Sequence, residues 1–191
     1  CSGLLNIKLP DRLVSIESSC FKGCRNLQEI KIPDSVIEIG YWAFRDCSKL
    51  KEVLLPKNLK RIKSLTFAGC SQLEAIEIPE GCVAILDNAF SGCANLVYVS
   101  VPSTVTQMED YVFDGCANMG SIVWNSELEI KSSFFADVQP CNCLLYVSQG
   151  TVLPETWNDN IVRENVAEQV VFNAGYSCYV EVGGQAVLGR Q

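Results

Sequence analysis

The feature that most constrains this chain is a repeat with a period of 23 residues. Three residue types keep that spacing: Pro10, Pro33, Pro56, Pro79 and Pro102; Phe21, Phe44, Phe67, Phe90 and Phe113; and Cys1, Cys24, Cys47, Cys70, Cys93 and Cys116. A fixed period of this length is typical of stacked arrays, in which each unit buries apolar surface against its neighbours. The sequence therefore predicts a curved solenoid of five full copies and a degenerate sixth.

Each copy is predicted to contain two short extended segments. In the copy that starts at Leu27, polar and apolar residues alternate over 29–32, which is the period of a strand with one buried face. Pro33 lacks a backbone donor and ends this strand. Val36 and Ile39 then predict a second extended piece on the opposite wall. Strands of successive copies are expected to pair in parallel.

The turn that closes each copy contains a phenylalanine and a cysteine. In Ala43-Phe44-x-x-Cys47, the phenylalanine is large enough to fill the space between the two walls. A glycine before the cysteine supplies a permissive backbone in four copies: Gly23, Gly69, Gly92 and Gly115.

The 11 cysteines would ordinarily indicate disulfides or metal sites, but their spacing favours another interpretation. Six share one repeat position, which predicts a column of buried thiols, because free cysteine behaves as a small hydrophobic residue. Cys20 and Cys82 are predicted to be further small core residues, with a bridge or metal pair between Cys20 and Cys24 as the alternative. Cys141 and Cys143 are spaced like a chelating or redox pair, but no metal is predicted, because the chain has no histidine and no second pair.

The full motif, L-x-x-I-x-I-P-x-x-V-x-x-I-x-x-x-A-F-x-x-C-x-x-L, resembles the BspA-like leucine-rich repeat, a bacterial subtype of the leucine-rich repeat. The resemblance covers residues 1 to about 162. It implies a mostly β leucine-rich repeat solenoid with a parallel sheet and short second strands or 3-10 turns. It also implies a secreted or surface-anchored adhesion protein, often from gut or oral Bacteroidetes, without catalytic residues.

Two regions are expected along the chain. Residues 1–165 are assigned to the array, including the degenerate sixth copy and a C-terminal cap. Leu144–Val147 is predicted to be the last strand of the sheet, and residues 154–162 a short helical turn in which Trp157 and Ile161 cover the core.

The remaining residues, 166–191, are expected either to dock on the array or to begin another domain. Three short strands are predicted there, with Gly183-Gly184 as a hairpin turn: 169–173, 177–182 and Gln185–Leu188.

The composition argues against catalysis and against several partners. The absence of histidine removes Ser-His-Asp and Cys-His dyads and the HExxH metal site, and neither a Walker A sequence nor GxGxxG occurs. Asp87, Glu109 and Asp110 lie at repeat-surface positions, where a solvated face explains them better than a glycosidase pair. The prediction is a non-enzymatic protein without cofactor or metal.

Net charge and hydropathy exclude further classes of partner. A net charge of −7 argues against nucleic acid and anionic membranes, both of which require a basic surface. No apolar run approaches the length of a membrane span. The chain opens in mid-repeat without a signal peptide, as a trimmed fragment would.

The outward side of the strands is the expected binding platform. Early copies present mixed charge and later copies small and apolar residues, with Tyr98 as the expected anchor for a protein partner. The candidate binding residues are Glu29, Lys31, Lys51, Glu52, Glu74, Glu77, Val97 and Tyr98. The alternative is that these residues only keep a solvent face soluble. On the other wall, Trp42, Leu65 and Tyr111 share a position and form either a second patch or packing along the stack.

The leading hypothesis is a secreted or cell-surface adhesion module that recognises a protein partner through its strand face. The first alternative is a rigid spacer that positions another domain, or a unit that self-associates through an exposed repeat edge. The second is glycan binding, for which Tyr98 is the main candidate.

Overall fold

The structure, a computed structural model, describes residues 3–135 with their side chains and, beyond them, the backbone of five further strands. Over these residues the chain contains no α-helix, and its regular elements are short strands and a 3-10 helix, Ser132–Phe135. The predicted solenoid fold is confirmed. Cys1, Cys141 and Cys143 lie outside the described residues.

The strands alternate between two walls of the solenoid along the chain. The second wall contains β1 (Ser15–Ile16), β3 (Glu38–Ile39), β5 (Arg61–Ile62), β7 (Ala84–Ile85) and β9 (Gln107–Met108). The strand face contains β2 (Glu29–Lys31), β4 (Glu52–Leu54), β6 (Ala75–Glu77), β8 (Tyr98–Val101) and β10 (Ser121–Trp124). The paired strands are parallel and in register at one repeat, so that Ile76 lies beside Val99 and Val99 beside Ile122. The two predicted extended pieces per copy are therefore present in the second to fifth copies.

The first copy lacks a regular strand on the strand face. Residues 4–9 form no strand, although Gln28 N donates a hydrogen bond of 3.2 Å to Leu5 O in that segment.

The end of the sheet differs from the prediction. Strand β11 (Leu144–Val147) pairs in parallel with β10 as expected, but a further parallel strand, β12 (Ile161–Arg163), pairs with β11. Ile161 and Val162 are therefore extended and not part of a helical turn, because they continue the backbone ladder of the sheet. Trp157 lies outside the described residues.

The three strands predicted near the C-terminus are present. They are β13 (Val170–Val171), β14 (Tyr179–Val182) and β15 (Gln185–Leu188), in an antiparallel sheet. Val182 pairs with Gln185, which leaves two residues between β14 and β15, as the predicted hairpin requires. Gly183 and Gly184 lie outside the described residues, and the division into regions 1–165 and 166–191 remains a prediction.

A continuous stack of phenylalanine rings forms the centre of the core. Successive rings from Phe21 to Phe113 lie 5.2–5.6 Å apart at their centroids and within 9° of parallel. Phe135 extends the stack at 5.3 Å although its spacing is one residue short, because the 3-10 helix brings it into register. Buried aliphatic residues from both walls surround these rings.

Backbone conformation in the turns repeats with the same period. The predicted turn glycines have left-handed φ values of 67–74°, and Asp46 takes the same conformation in the second copy, with φ of 60°. A second left-handed position precedes the phenylalanine by two residues, with φ of 56–61°, at Ser19, Trp42, Leu65, Asn88 and Tyr111. Asparagine accepts this conformation readily, whereas a bulky residue there costs about 1–2 kcal/mol.

The repeated cysteines form the predicted column of buried thiols. Over the described chain, Cys24, Cys47, Cys70, Cys93 and Cys116 are free and buried. From Cys47 onward, each Sγ donates to the carbonyl of a phenylalanine in the preceding copy, at 3.1–3.3 Å. Burial raises the pKa of Cys116 to about 12 and the pKa of Cys93 well above its usual value.

Two other cysteines test the prediction of small core positions. Cys82 is buried, as expected, and burial raises the pKa of its thiol. Cys20 is exposed, so the prediction of a buried slot is wrong there. The equivalent residues Ala43 and Ala89 are buried between two copies, whereas within the described residues Cys20 has a neighbouring copy on one side.

We expect this difference in burial to control alkylation. At pH 8, iodoacetamide should modify Cys20 rapidly and leave Cys70, Cys93 and Cys116 unmodified in the native protein, because the thiolate is the nucleophile and burial suppresses it. Site-resolved mass spectrometry before and after denaturation measures each position separately. Rapid native modification of the column would contradict a closed core.

Candidate functional site

The strand face of the early copies positions charged side chains in rows. In β2 and β4, Glu29 lies beside Glu52 and Lys31 beside Leu54, with the intervening Ile30 and Val53 buried. The alternation places every second side chain on the outside, because successive strand residues point to opposite faces of a sheet.

These outward side chains line a shallow cleft of about 410 Å³ across the first three copies. Its outward lining includes Glu29, Lys31, Glu52 and Leu54, and the irregular first copy closes one side. The first copy contributes Asn6, Lys8 and Asp11. The cleft therefore combines both signs of charge with apolar side chains, of which Leu54 is a large and exposed one.

The two glutamates are neighbours of like charge. Neither Glu29 nor Glu52 forms an ion pair within the described part of the chain. Like charges directly opposite each other on a sheet destabilise it by a few tenths of a kcal/mol to about 1 kcal/mol. The pair thus does not contribute to folding, and its two carboxylates remain available as hydrogen-bond acceptors.

The structure brings three of the predicted binding residues together in the cleft, Glu29, Lys31 and Glu52. Four others lie outside its lining: Lys51, Glu74, Glu77 and Val97. Of these, Lys51 and Glu77 are exposed, and Glu74 and Val97 are half-buried.

Tyr98 is a correction to the predicted face. Its alternation in β8 places it on the outward side, but only 3% of its surface is exposed, and Val123 in the neighbouring strand is also buried. The alternation of a strand determines the side of the sheet on which a residue lies, but not whether that side is covered. Tyr98 is therefore not an exposed anchor, which also removes the main support for glycan binding on this face.

Leu54 is a cleft residue that is absent from the binding residues predicted from the sequence. It is 49% exposed and occupies the same outward row as Lys31 and Glu77. Where the neighbouring copies have Lys31 and Glu77, this copy has a leucine. That difference is visible in the sequence and indicates an apolar contact point on the outward face. Its place in the lining of the cleft is known only from the structure.

The second wall contains an exposed aromatic pair. Tyr41 and Trp42 are 42% and 40% exposed, with ring centroids 6.4 Å apart and a tilt of 55°. The Lys63 ammonium lies 5.0 Å from the Tyr41 centroid, and the Lys22 ammonium 5.9 Å from that of Trp42. Lys63 also bonds to Glu38 and, through this hydrogen bond, lowers the pKa of that carboxyl group.

The other residues that share the Trp42 position do not join this pair. Tyr111 is 49% exposed, three copies further along the wall, and Leu65 is half-buried. Among the described residues, the ring that contacts Trp42 is Tyr41. Of the two alternatives for this position, the exposed rings of Trp42 and Tyr111 lie in separate patches, three copies apart.

The carboxylates of the later copies support the turns. Ser64 donates to Asp87, and this hydrogen bond is the main cause of the lowered pKa of Asp87. Glu109 accepts from the Asp87 backbone N–H at 3.0 Å, and Ser133 donates to Asp110 at 2.6 Å. Each bond joins one copy to the next, which is a structural role.

Neither a metal site nor a membrane segment is found in the described part of the chain. No group of three or more His, Cys, Asp and Glu side chains there could hold a metal ion. Likewise, the described residues include no helix with the length and hydropathy needed to cross a bilayer.

Comparison with solved structures gives close matches to bacterial proteins. A leucine-rich cell surface protein from Faecalibacterium prausnitzii A2-165 is 36% identical, with a TM-score of 0.60, over 62% of this chain and 31% of that one. A leucine-rich repeat protein from Bacteroides ovatus ATCC 8483 is 31% identical, with a TM-score of 0.58, over 71% and 43%. The T. pallidum leucine-rich repeat protein is 25% identical, with a TM-score of 0.62, over 76% and 73%. This chain thus spans less than half of the first two proteins.

No curated protein matches the chain. The family described as BspA type leucine rich repeat region matches residues 1–120, in six copies. This match covers more than half of the 191 residues and follows the period that the strands and phenylalanines display. The chain therefore belongs to the BspA type leucine-rich repeat family.

Proposed function

We propose that this chain is a protein-binding module that acts in adhesion at the bacterial surface. The observation that carries the proposal is the cleft on the strand face of the first three copies, where Glu29, Lys31, Glu52 and Leu54 meet. The similarity to a cell surface protein of F. prausnitzii supports the location.

The chemistry of the cleft fits an extended protein segment. Leu54 offers an apolar contact surrounded by charges, an arrangement typical of an anchor residue within a polar rim. The unpaired Glu29 and Glu52 carboxylates suit lysine or arginine of a partner, since repulsion between them falls when a cation binds. Lys8 and Lys31 attract acidic groups of the partner and so determine how the partner segment is aligned along the cleft.

The repeat itself provides variants that preserve the fold. Glu52→Ala copies the residue at the equivalent position of β6, Ala75, and Leu54→Glu copies Glu77. We expect each to weaken partner binding about tenfold or more, which is the effect of losing a contact worth about 1.4 kcal/mol. Because Glu52→Ala also removes repulsion, its stability should equal or exceed that of the original protein.

The measurement is surface plasmon resonance on immobilised collagen, laminin, fibronectin and fibrinogen, with urea unfolding of each variant in parallel. The matched control is Glu80→Ala, which removes one exposed carboxylate outside the cleft. The proposal is supported if the original protein and the control variant bind saturably to one of these proteins, and if both cleft variants bind to it more weakly. Absence of binding to all four proteins, or equal binding by all variants, would overturn it.

A further inference from the structure

The second wall of copies two and three concentrates basic residues in an otherwise acidic protein. Residues 57–63 contain four of the chain's 15 lysines and arginines, although the net charge is −7. Three of these four lie on or next to β5, and one of them, Lys63, has its ammonium group 5.0 Å from the Tyr41 ring centroid. We define the basic-aromatic patch as Lys22, Tyr41, Trp42, Lys60, Arg61 and Lys63.

The two rings of this patch form an exposed, angled surface held in place by the backbone. Their tilt of 55° makes a shallow corner, and two ammonium groups lie within 6 Å of the ring centroids. Trp42 takes a left-handed conformation that favours small or amide residues, and it remains 40% exposed. Neither backbone preference nor burial explains a tryptophan here, whereas recognition of a ligand does.

The cations of the patch are only partly neutralised. Glu38 pairs with Lys63, and Asp34 lies 3.9 Å from the neighbouring Lys57. Within the described chain, Lys22 and Arg61 have no carboxylate partner. The Lys60 ammonium extends toward the loop at Gly81 and also has no ion pair there.

We propose that the basic-aromatic patch binds an acidic polysaccharide. A sugar ring would lie against Tyr41 and Trp42, because the C–H face of a saccharide packs on an aromatic ring while its hydroxyls stay hydrated. Sulfate or carboxylate groups of the same chain would meet Arg61, Lys60 and Lys22, with arginine as the bidentate contact. This site lies on the wall opposite the proposed protein-binding cleft and is independent of it.

The electrostatics of the whole molecule favour a flexible glycan over a nucleic acid. With a net charge of −7, the protein as a whole repels a long, rigid polyanion that extends beyond the patch. A short segment of flexible polysaccharide contacts the patch alone. The two exposed rings also distinguish this patch from a site that binds by charge alone, since attraction between charges needs no aromatic surface.

The experiment measures binding of heparin by isothermal titration calorimetry at a salt concentration of about 0.15 M, where weak surface attraction is largely screened. Residues from other copies again provide the substitutions. Tyr41→Ser with Trp42→Asn copies Ser64 and Asn88, and Lys60→Thr with Arg61→Gln copies Thr106 and Gln107. The control double variant, Arg25→Ser with Lys49→Gln, copies Ser48 and Gln72 and removes two exposed cations from outside the patch.

We expect saturable binding of heparin that each patch variant weakens about tenfold, as loss of a sugar–ring stacking contact or of a bidentate arginine contact would. The control variant should bind as the original protein does, and chemically desulfated heparin should bind more weakly. An equal loss in the control variant would overturn the proposal by indicating a diffuse charge effect. Absence of heparin binding would overturn it as well, and so would equally tight binding of a DNA oligonucleotide of matched charge.

Discussion

Substitution of Phe90 by alanine should lower the free energy of unfolding by about 3–5 kcal/mol. Phe90 is fully buried, with Phe67 and Phe113 stacked on its two faces at 5.5 and 5.6 Å. The variant loses both stacking contacts and leaves a cavity that rigid neighbouring copies cannot close. Urea unfolding followed by circular dichroism measures the loss as a lower midpoint.

The matched control is Phe21→Ala in the first copy. Within the described chain, Phe21 is stacked on one side only, by Phe44, and is 8% exposed. Its loss should therefore be clearly smaller, at about 2–3 kcal/mol, because fewer contacts disappear and solvent can fill part of the space. Equal losses at the two positions would contradict a stack in which each ring depends on both neighbours.

Much of this fold could be predicted because the same physical constraint recurs at every copy. Alternation over 29–32 predicts a strand with one buried face, and Ile30 is indeed buried between exposed neighbours. The recurrence of phenylalanine predicts one central column, since residues at the same repeat position stack directly above each other. Phe135 also stacks in this column, although its spacing is one residue short of 23. The 3-10 helix there accommodates the shorter spacing.

The errors occur where neighbours outside the repeat pattern decide the outcome. Tyr98 has the alternation of an outward residue, yet it is buried. Cys20 has the register of a core residue, yet it is exposed at the first copy. Ile161 is predicted to cover the core from a helical turn, but its backbone pairs in parallel with β11 as a further strand. Repeat periodicity predicts the register of a residue, but not what covers it.

The candidate site could be predicted only in part for a related reason. Register places Glu29 beside Glu52 and Lys31 beside Leu54, and this much follows from the 23-residue period. The concavity of the first three copies depends on curvature and on the irregular first segment, neither of which has a signal in the residue pattern. The left-handed backbone at Trp42 could not be predicted from the sequence either. Serine, leucine, asparagine and tyrosine occupy the same position in other copies, so no single residue type marks this conformation.

Gly40→Ala is the second substitution from which we expect a large loss, about 2–3 kcal/mol. A Cβ atom at Gly40 would lie 2.3 Å from Ser18 N and 2.7 Å from Glu17 C, both backbone atoms of the preceding copy. Gly40 N also donates to Ile16 O at 2.8 Å, so relief of the clash would break a bond between copies. The repeat pattern does not predict that glycine is required at position 40, because Lys63 and other residues with side chains occupy the equivalent position in other copies.

Two other glycines separate the steric cause from backbone strain. Gly23 has a left-handed φ of 69° with no atom within 4 Å of a built Cβ, so Gly23→Ala should cost about 1 kcal/mol through conformation alone. Gly3 has neither a left-handed φ nor a neighbour within that distance, so Gly3→Ala should change stability by less than about 0.5 kcal/mol. Urea unfolding of the three variants should therefore rank Gly40 above Gly23 and Gly23 above Gly3. A loss at Gly40 no larger than that at Gly23 would mean that the contact between the first two copies yields to a methyl group, and that the copies are not rigidly stacked at this point.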